Sequence, residues 1–257
     1  MTGPAADVLA AEWIKLRSVR STYWTVLVTA ALTIAVGLLT AKNVVTHWSD
    51  FSPADQEDFD PLAAVLSGLY LTQVGFGLVG VLAIGSEYAT GQIRTTFTAV
   101  PRRPRVLAAK AVAAGVVAFL VGEVAALGAF AGARPILATR YLDVAIVDPG
   151  VPRALLAAGV FLGLVALVGL GLGAIIRHTA GTVAVLFGLV FVAPLVVRAL
   201  PAPWDTRVEP YLLPSLGHQM YALEPGTLSP GVATGWCAVY AAVALGLAAV
   251  LIARRDA

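Results

Sequence analysis

Six long apolar runs constrain this chain more than any other feature. They cover about Tyr23–Ala41, Pro61–Gly85, Val106–Ala133, Arg153–Ile176, Gly181–Ala199 and Gly231–Ala253. A hydrocarbon core about 30 Å thick is crossed by roughly 20 apolar residues in a helix. Each run is close to that length or longer. Inside hydrocarbon every backbone N–H and C=O must be bonded within the protein, which a helix achieves within one segment. The runs are solid rather than alternating, so they do not read as strands of a barrel. The expected fold is an all-α integral membrane protein with six transmembrane helices. Composition agrees: 59% of residues are hydrophobic and only 12% charged, against about 25% charged in soluble domains. The first run exceeds the ~7–15 residue core of a secretory signal and lacks a convincing small-x-small cleavage site, so it reads as a retained span.

Charge distribution gives an orientation. Eleven of the 17 Lys and Arg residues, among them Lys15, Arg17, Arg20, Arg94, Arg102, Arg103, Arg105, Lys110, Arg177, Arg254 and Arg255, fall on one side of the expected bilayer. Lys42, Arg134, Arg140, Arg153, Arg198 and Arg207 fall on the other. The positive-inside bias then places both termini in the cytoplasm of a plasma-membrane protein. Asp50, Asp55, Glu57, Asp58 and Asp60 gather in the first outside loop. Residues 1–22 form an N-terminal cytoplasmic segment and residues 23–257 the six-helix domain. The turn Arg177–Ala180 is short, so the fourth and fifth runs could instead form one re-entrant unit. Tyr23, Trp24, Trp48, Tyr141, Trp204 and Tyr211 lie near span ends or in outside loops, as interfacial anchors do.

Soluble-enzyme motifs are missing. Gly75-Phe76-Gly77-Leu78-Val79-Gly80 matches G-x-G-x-x-G, but inside a span it reads as close helix packing rather than a dinucleotide site. Gly128–Gly132, Gly159–Gly163 and Gly231–Gly235 have the G-x-x-x-G spacing of membrane packing faces, each a weak signal among 25 glycines. The sequence holds no phosphate loop, no H-E-x-x-H, no C-x-x-C and no G-x-S-x-G. We therefore expect no catalytic residues, no metal site and no cofactor on this chain, and no nucleic acid as partner. The one cysteine, Cys237, permits no intrachain disulfide.

Three polar features stand out. Glu123 lies inside the third run, where a carboxylate costs at least ~2.5 kcal/mol. It serves either a translocation path or subunit interface, or it is a protonated or hydrogen-bonded structural residue. Gln73, near the middle of the second run, is a candidate partner for it. In Ala6–Arg20, Leu9, Trp13 and Leu16 share a helical face, which suits either a helix lying in the interface or an extension of the first span. The segment from Ser86 to Arg105 is longer than a plain turn. There Ser86 can cap a helix start, and Pro101 and Pro104 bar a continuous helix into the third span. A short helix, a break and a basic elbow are expected. Glu87, at a span end, is expected to pair with Arg94 or with that elbow.

At this segment the sequence resembles the permease subunits of ABC-2 type ABC transporters. The family's pattern is a glutamate closing the second span, then Gly, Thr, Pro with a basic residue, and a Lys opening the third span. Here these are Glu87, Gly91, Thr95, Pro101 with Arg102 and Arg103, and Lys110. The start Ala11-Glu12-Trp13-Ile14-Lys15-Leu16-Arg17-Ser18 and the stretch Leu213-Pro214-Ser215-Leu216 also resemble the family. The resemblance implies a short cytoplasmic coupling helix between helices 2 and 3, within residues 86–105. Glu87, Tyr88, Gly91, Gln92, Arg94, Thr95, Pro101, Arg102 and Arg103 would dock on a separate ATP-binding protein that holds ATP and Mg. It also implies a homodimer or heterodimer of permeases, export as the direction of transport, and a partly re-entrant external cap over residues 200–230. An ion-coupled secondary transporter using Glu123, or a non-transporting scaffold or sensor subunit, remains the alternative.

Overall fold

A computed structural model describes residues 4–18, 20–99, 103–224 and 226–254. Nine helices of eight or more residues organise the described part: α1 (Pro4–Ser18), α2 (Arg20–His47), α3 (Gly68–Thr90), α4 (Gln92–Ala99), α5 (Arg103–Ala138), α6 (Val151–Ile176), α7 (Thr179–Arg198), α8 (Leu213–Tyr221) and α9 (Pro230–Arg254). No strand occurs among the described residues. Six of the helices, α2, α3, α5, α6, α7 and α9, are long and apolar enough to cross a membrane. The chain is a multi-pass, all-helical membrane protein.

Two of the six are interior. The most apolar windows of α3 and α6 are each 67% buried, whereas those of α2, α5, α7 and α9 are 22–33% buried. The other four therefore present much of their surface to lipid. Lipid supplies no hydrophobic drive to bring helices together, so contact depends on how closely backbones can approach. Glycine decides this where α3 crosses α6. A Cβ on Gly80 would lie 1.8 Å from the Ala166 carbonyl oxygen, and one on Gly169 would lie 2.1 Å from that of Gly77. The Gly77 and Gly80 positions of the G-x-G-x-x-G string are thus packing contacts. Gly159 and Gly163 likewise seat α6 on Phe119 of α5, and Gly128 and Gly132 receive Ile34 and Leu38 of α2. Gly231 and Gly235 face nothing within 4 Å, so that pair is not a packing face within the chain.

Element boundaries differ from expectation at two places. The second run does not start as one helix at Pro61. Pro61–Val65 forms a separate short helix capped by Asp60, and α3 begins at Gly68. Ser86 starts no helix: it lies inside α3 and its Oγ donates to the Leu82 carbonyl at 2.8 Å. The helix instead runs on to Thr90, so the excursion between spans begins at Gly91, not at residue 86. The fourth and fifth runs are two helices, separated by Arg177 and His178. A π-helical stretch, Gly188–Val192, interrupts α7.

The two ends of the bundle are built differently. At one end α4 projects between α3 and α5, and Ile84, Leu107, Ala174 and Ile252 form a small core. At the other, residues 200–224 form a polar-tied cap whose α8 sinks Leu213, Leu216 and Met220 into the main core beside Phe161 and Cys237. Arg153 donates to the carbonyls of Met220 (2.9 Å) and Ala222 (2.7 Å), where the last turn of α8 carries negative partial charge. Asp60 accepts from the N–H groups of Leu62, Ala63 and Leu223 at 2.8–2.9 Å. Gln219 donates to the Pro210 carbonyl and accepts from the Leu228 N–H.

Candidate functional site

Four charged side chains from three helices meet at the α4 end. Lys110 of α5 is 2% exposed, Glu87 of α3 is 3% exposed and Glu12 of α1 is 4% exposed. The Lys110 ammonium donates to Glu12 Oε2 at 2.7 Å, Glu87 Oε1 at 2.8 Å and the Ala83 carbonyl at 3.0 Å. Lys15 of α1 donates to Glu12 Oε1 at 2.9 Å and to Glu87 Oε1 at 2.8 Å. The quartet is electroneutral: two carboxylates and two ammonium groups. That balance permits burial, since an uncompensated ion in a low-dielectric site costs several kcal/mol.

Local sequence places each member. Lys110 sits two turns into α5, just inside the apolar run, and a buried ammonium there needs acids from neighbouring helices. Glu87 ends the apolar part of α3, one turn before its C-terminus. Glu12 and Lys15 are three apart on α1 and share a face. Burial of Lys15 would by itself lower its pKa, but its hydrogen bonds and charge pairing with Glu87 and Glu12 outweigh this and raise it. The quartet pins α1 to the base of α3 and α5. Alongside it, α1 and α5 enclose an apolar cleft of about 560 Å³ lined by Leu9, Trp13, Val112 and Val116. Leu9 and Trp13 of the expected apolar face remain 37% and 38% exposed; the Leu16 side chain lies outside the described part.

The excursion after α3 is a tight turn and one short helix. Gly91 has φ +73°, the left-handed conformation that favours glycine, and its N–H donates to the Tyr88 carbonyl. The eight residues of α4 then place Ile93 inward, 4% exposed, with Gln92, Thr95 and Thr98 outward. Tyr88 is half-buried, with the Arg177 guanidinium 5.5 Å from its ring centroid. Arg103 opens α5 and donates to the Ile252 carbonyl of α9 at 3.2 Å. Pro101 and Arg102 lie outside the described residues, and so does the side chain of Arg94.

One expected pairing is corrected, and another falls outside the described residues. Among the described residues Glu87 is bound by Lys15 and Lys110; its expected pairing with Arg94 or the basic elbow rests on the Arg94 side chain and on Arg102, which are not described. Gln73 and Glu123 do not meet. Gln73 is 1% exposed and donates to the Tyr70 carbonyl of its own helix at 2.8 Å. Glu123 turns toward Gly159 of α6, where a Cβ would lie 2.5 Å from its Oε2. Neither Gln73 Oε1 nor Glu123 Oε2 has a hydrogen-bond partner. Similar depth in the bilayer brought them together on paper; helix rotation keeps them apart.

Sequence reasoning did not single out Glu12, Lys15 or Lys110 as site residues. The available signal was two charges of each sign sitting at or just inside the same ends of apolar runs, a pattern that demands mutual neutralisation. Among the described residues no group of three or more His, Cys, Asp and Glu side chains is placed to hold a metal ion. Comparison with known protein families and with curated proteins finds no match.

Proposed function

We propose that this chain is the membrane-spanning permease subunit of an ATP-driven transporter of the ABC-2 type, with ATP hydrolysed on a separate subunit. One observation carries the reading: a short helix, α4, stands between the second and third spans on a glycine hinge, and the helix before it is fixed by a buried ion quartet. A force applied to α4 is then passed to α3 and α5, and through Glu12 to α1. A floppy loop could not do this. Gln92, Thr95 and Thr98 form the exposed face offered to a partner, and Arg94, Pro101, Arg102 and Arg103 adjoin it in the sequence.

The excess of Lys and Arg at the α4 end favours a cytoplasmic position for that end and for both termini, where an ATP-binding partner would lie. Two copies, identical or related, would enclose the path, and export is the direction common to the family it resembles. An ion-coupled carrier is the second reading, and the unpartnered Glu123 Oε2 is its only support.

The test is purification of the chain from its native membrane in mild detergent. The reading expects a co-purifying ATP-binding protein whose association is lost with Thr95→Arg, a change on an exposed position of α4. Transport by the isolated chain in proteoliposomes without nucleotide, abolished by Glu123→Gln, would instead establish the ion-coupled carrier.

A further inference from the structure

A second feature lies on the lipid side of the bundle, away from the quartet. Helices α7 and α9 stand apart over α6 and leave a trough of about 550 Å³. Its floor includes Leu172 of α6, one wall Leu189 of α7, and the other Val243 and Leu247 of α9. At the cap end it is closed by aromatic groups. Tyr211 and Trp236 meet edge to face at 5.3 Å, and the Tyr240 hydroxyl donates to the Tyr211 carbonyl at 3.1 Å. Leu189 belongs to the π-helical stretch of α7, a distortion that recurs at functional sites.

Size and polarity identify the occupant. From Trp236 to Leu247 the trough runs roughly 16 Å at 1.5 Å per residue. That is about one leaflet of a ~30 Å hydrocarbon core. A single acyl chain is slender enough to lie along it within that volume. The walls are aliphatic along the depth of the leaflet, and polar atoms appear only at the Tyr–Trp end, where a lipid's ester and headgroup region lies. We infer that this trough is a binding site for one acyl chain of a membrane phospholipid, with its headgroup at Tyr211 and Trp236. Surrounding tails are as apolar as the groove, so retention comes from fit and from the aromatic end, not from a hydrophobic drive. The inference does not rest on the transporter reading.

Native mass spectrometry of the full chain, released from detergent after extensive washing, tests it. One phospholipid per chain should survive on the parent protein. Val243→Trp, at a position 55% exposed and outside the core, should fill the trough and lower retention about tenfold, the ratio carried by 1.4 kcal/mol. Val124→Trp, on the lipid-facing side of α5 and 66% exposed, should leave it unchanged. A photoreactive acyl-chain lipid supplies a measurement on the unsubstituted chain: adducts should concentrate on residues 185–189 and 239–247. Equal retention in the Val243→Trp and parent proteins, adducts spread evenly over α2 and α5, or disulfide linkage of two chains through Val239→Cys would each overturn the assignment.

Discussion

Removing the Lys110 ammonium tests how much the quartet holds. Lys110→Met keeps the length of the side chain and deletes one positive charge and three hydrogen bonds, to Glu12, Glu87 and the Ala83 carbonyl. Glu12 and Glu87 remain buried with Lys15 as their shared cation, and the site goes from neutral to a net charge of −1. Breaking a buried ion pair by deleting one member costs about 3–5 kcal/mol, because the partner is left uncompensated. Lys15→Ala should cost less than Lys110→Met, since its side chain is 41% exposed and water can take its place beside the carboxylates. The double variant Glu87→Gln/Lys110→Met restores neutrality, so its loss should fall well short of the sum of the two single losses. Denaturant-induced unfolding in mixed micelles gives all four values, and a disulfide between cysteines placed on α1 and α5 reports whether α1 stays docked. A Lys110→Met protein within about 0.5 kcal/mol of the parent, or strict additivity in the double variant, would refute the reasoning.

Other outcomes follow from the same contacts. Gly80→Leu should destabilise the bundle by at least 1–3 kcal/mol, in the manner of an overpacked core, because its first added atom already meets the Ala166 backbone; unfolding in micelles measures it. Asp60→Ala frees the N–H groups of Leu62, Ala63 and Leu223, and should cost about 1–3 kcal/mol and speed proteolysis near residue 223. The Lys15 pKa is raised above its ordinary value of 10.5, so its contribution is complete below that value and is lost only as pH rises through the folded value. The stability difference between the parent and Lys15→Ala should therefore stay constant from about pH 7 to 9.

The six spans were legible because lipid makes a demand that every segment must meet alone. Span length, apolar content and the need for internal hydrogen bonds can be read without knowing any neighbour. Gly91 carried a local signal of the same kind, since a left-handed turn after a helix favours glycine, but Ser86 reads in the sequence as a helix start instead. Partnerships were less legible. Glu87 was marked as a charge needing a cation, but the described cations that bind it come from other helices and carried no local signal. Lys15 lies 72 residues away and Lys110 lies 23 away. Which face Gln73 and Glu123 present depends on helix rotation, fixed by the glycine contacts of α3 with α6 and of α6 with α5. Asp60 and Arg153, which tie down the cap, read in the sequence only as charges flanking spans.

Photo-crosslinking from α4 in the living cell tests the central claim most directly. A photoreactive amino acid at Thr95 should form an adduct with a soluble nucleotide-binding protein, and the same probe at Leu39, 66% exposed on the lipid-facing side of α2, should not. An α4 probe that reacts only with reagents confined to the outside of the cell, or that yields no protein adduct while the chain still transports, would contradict the account.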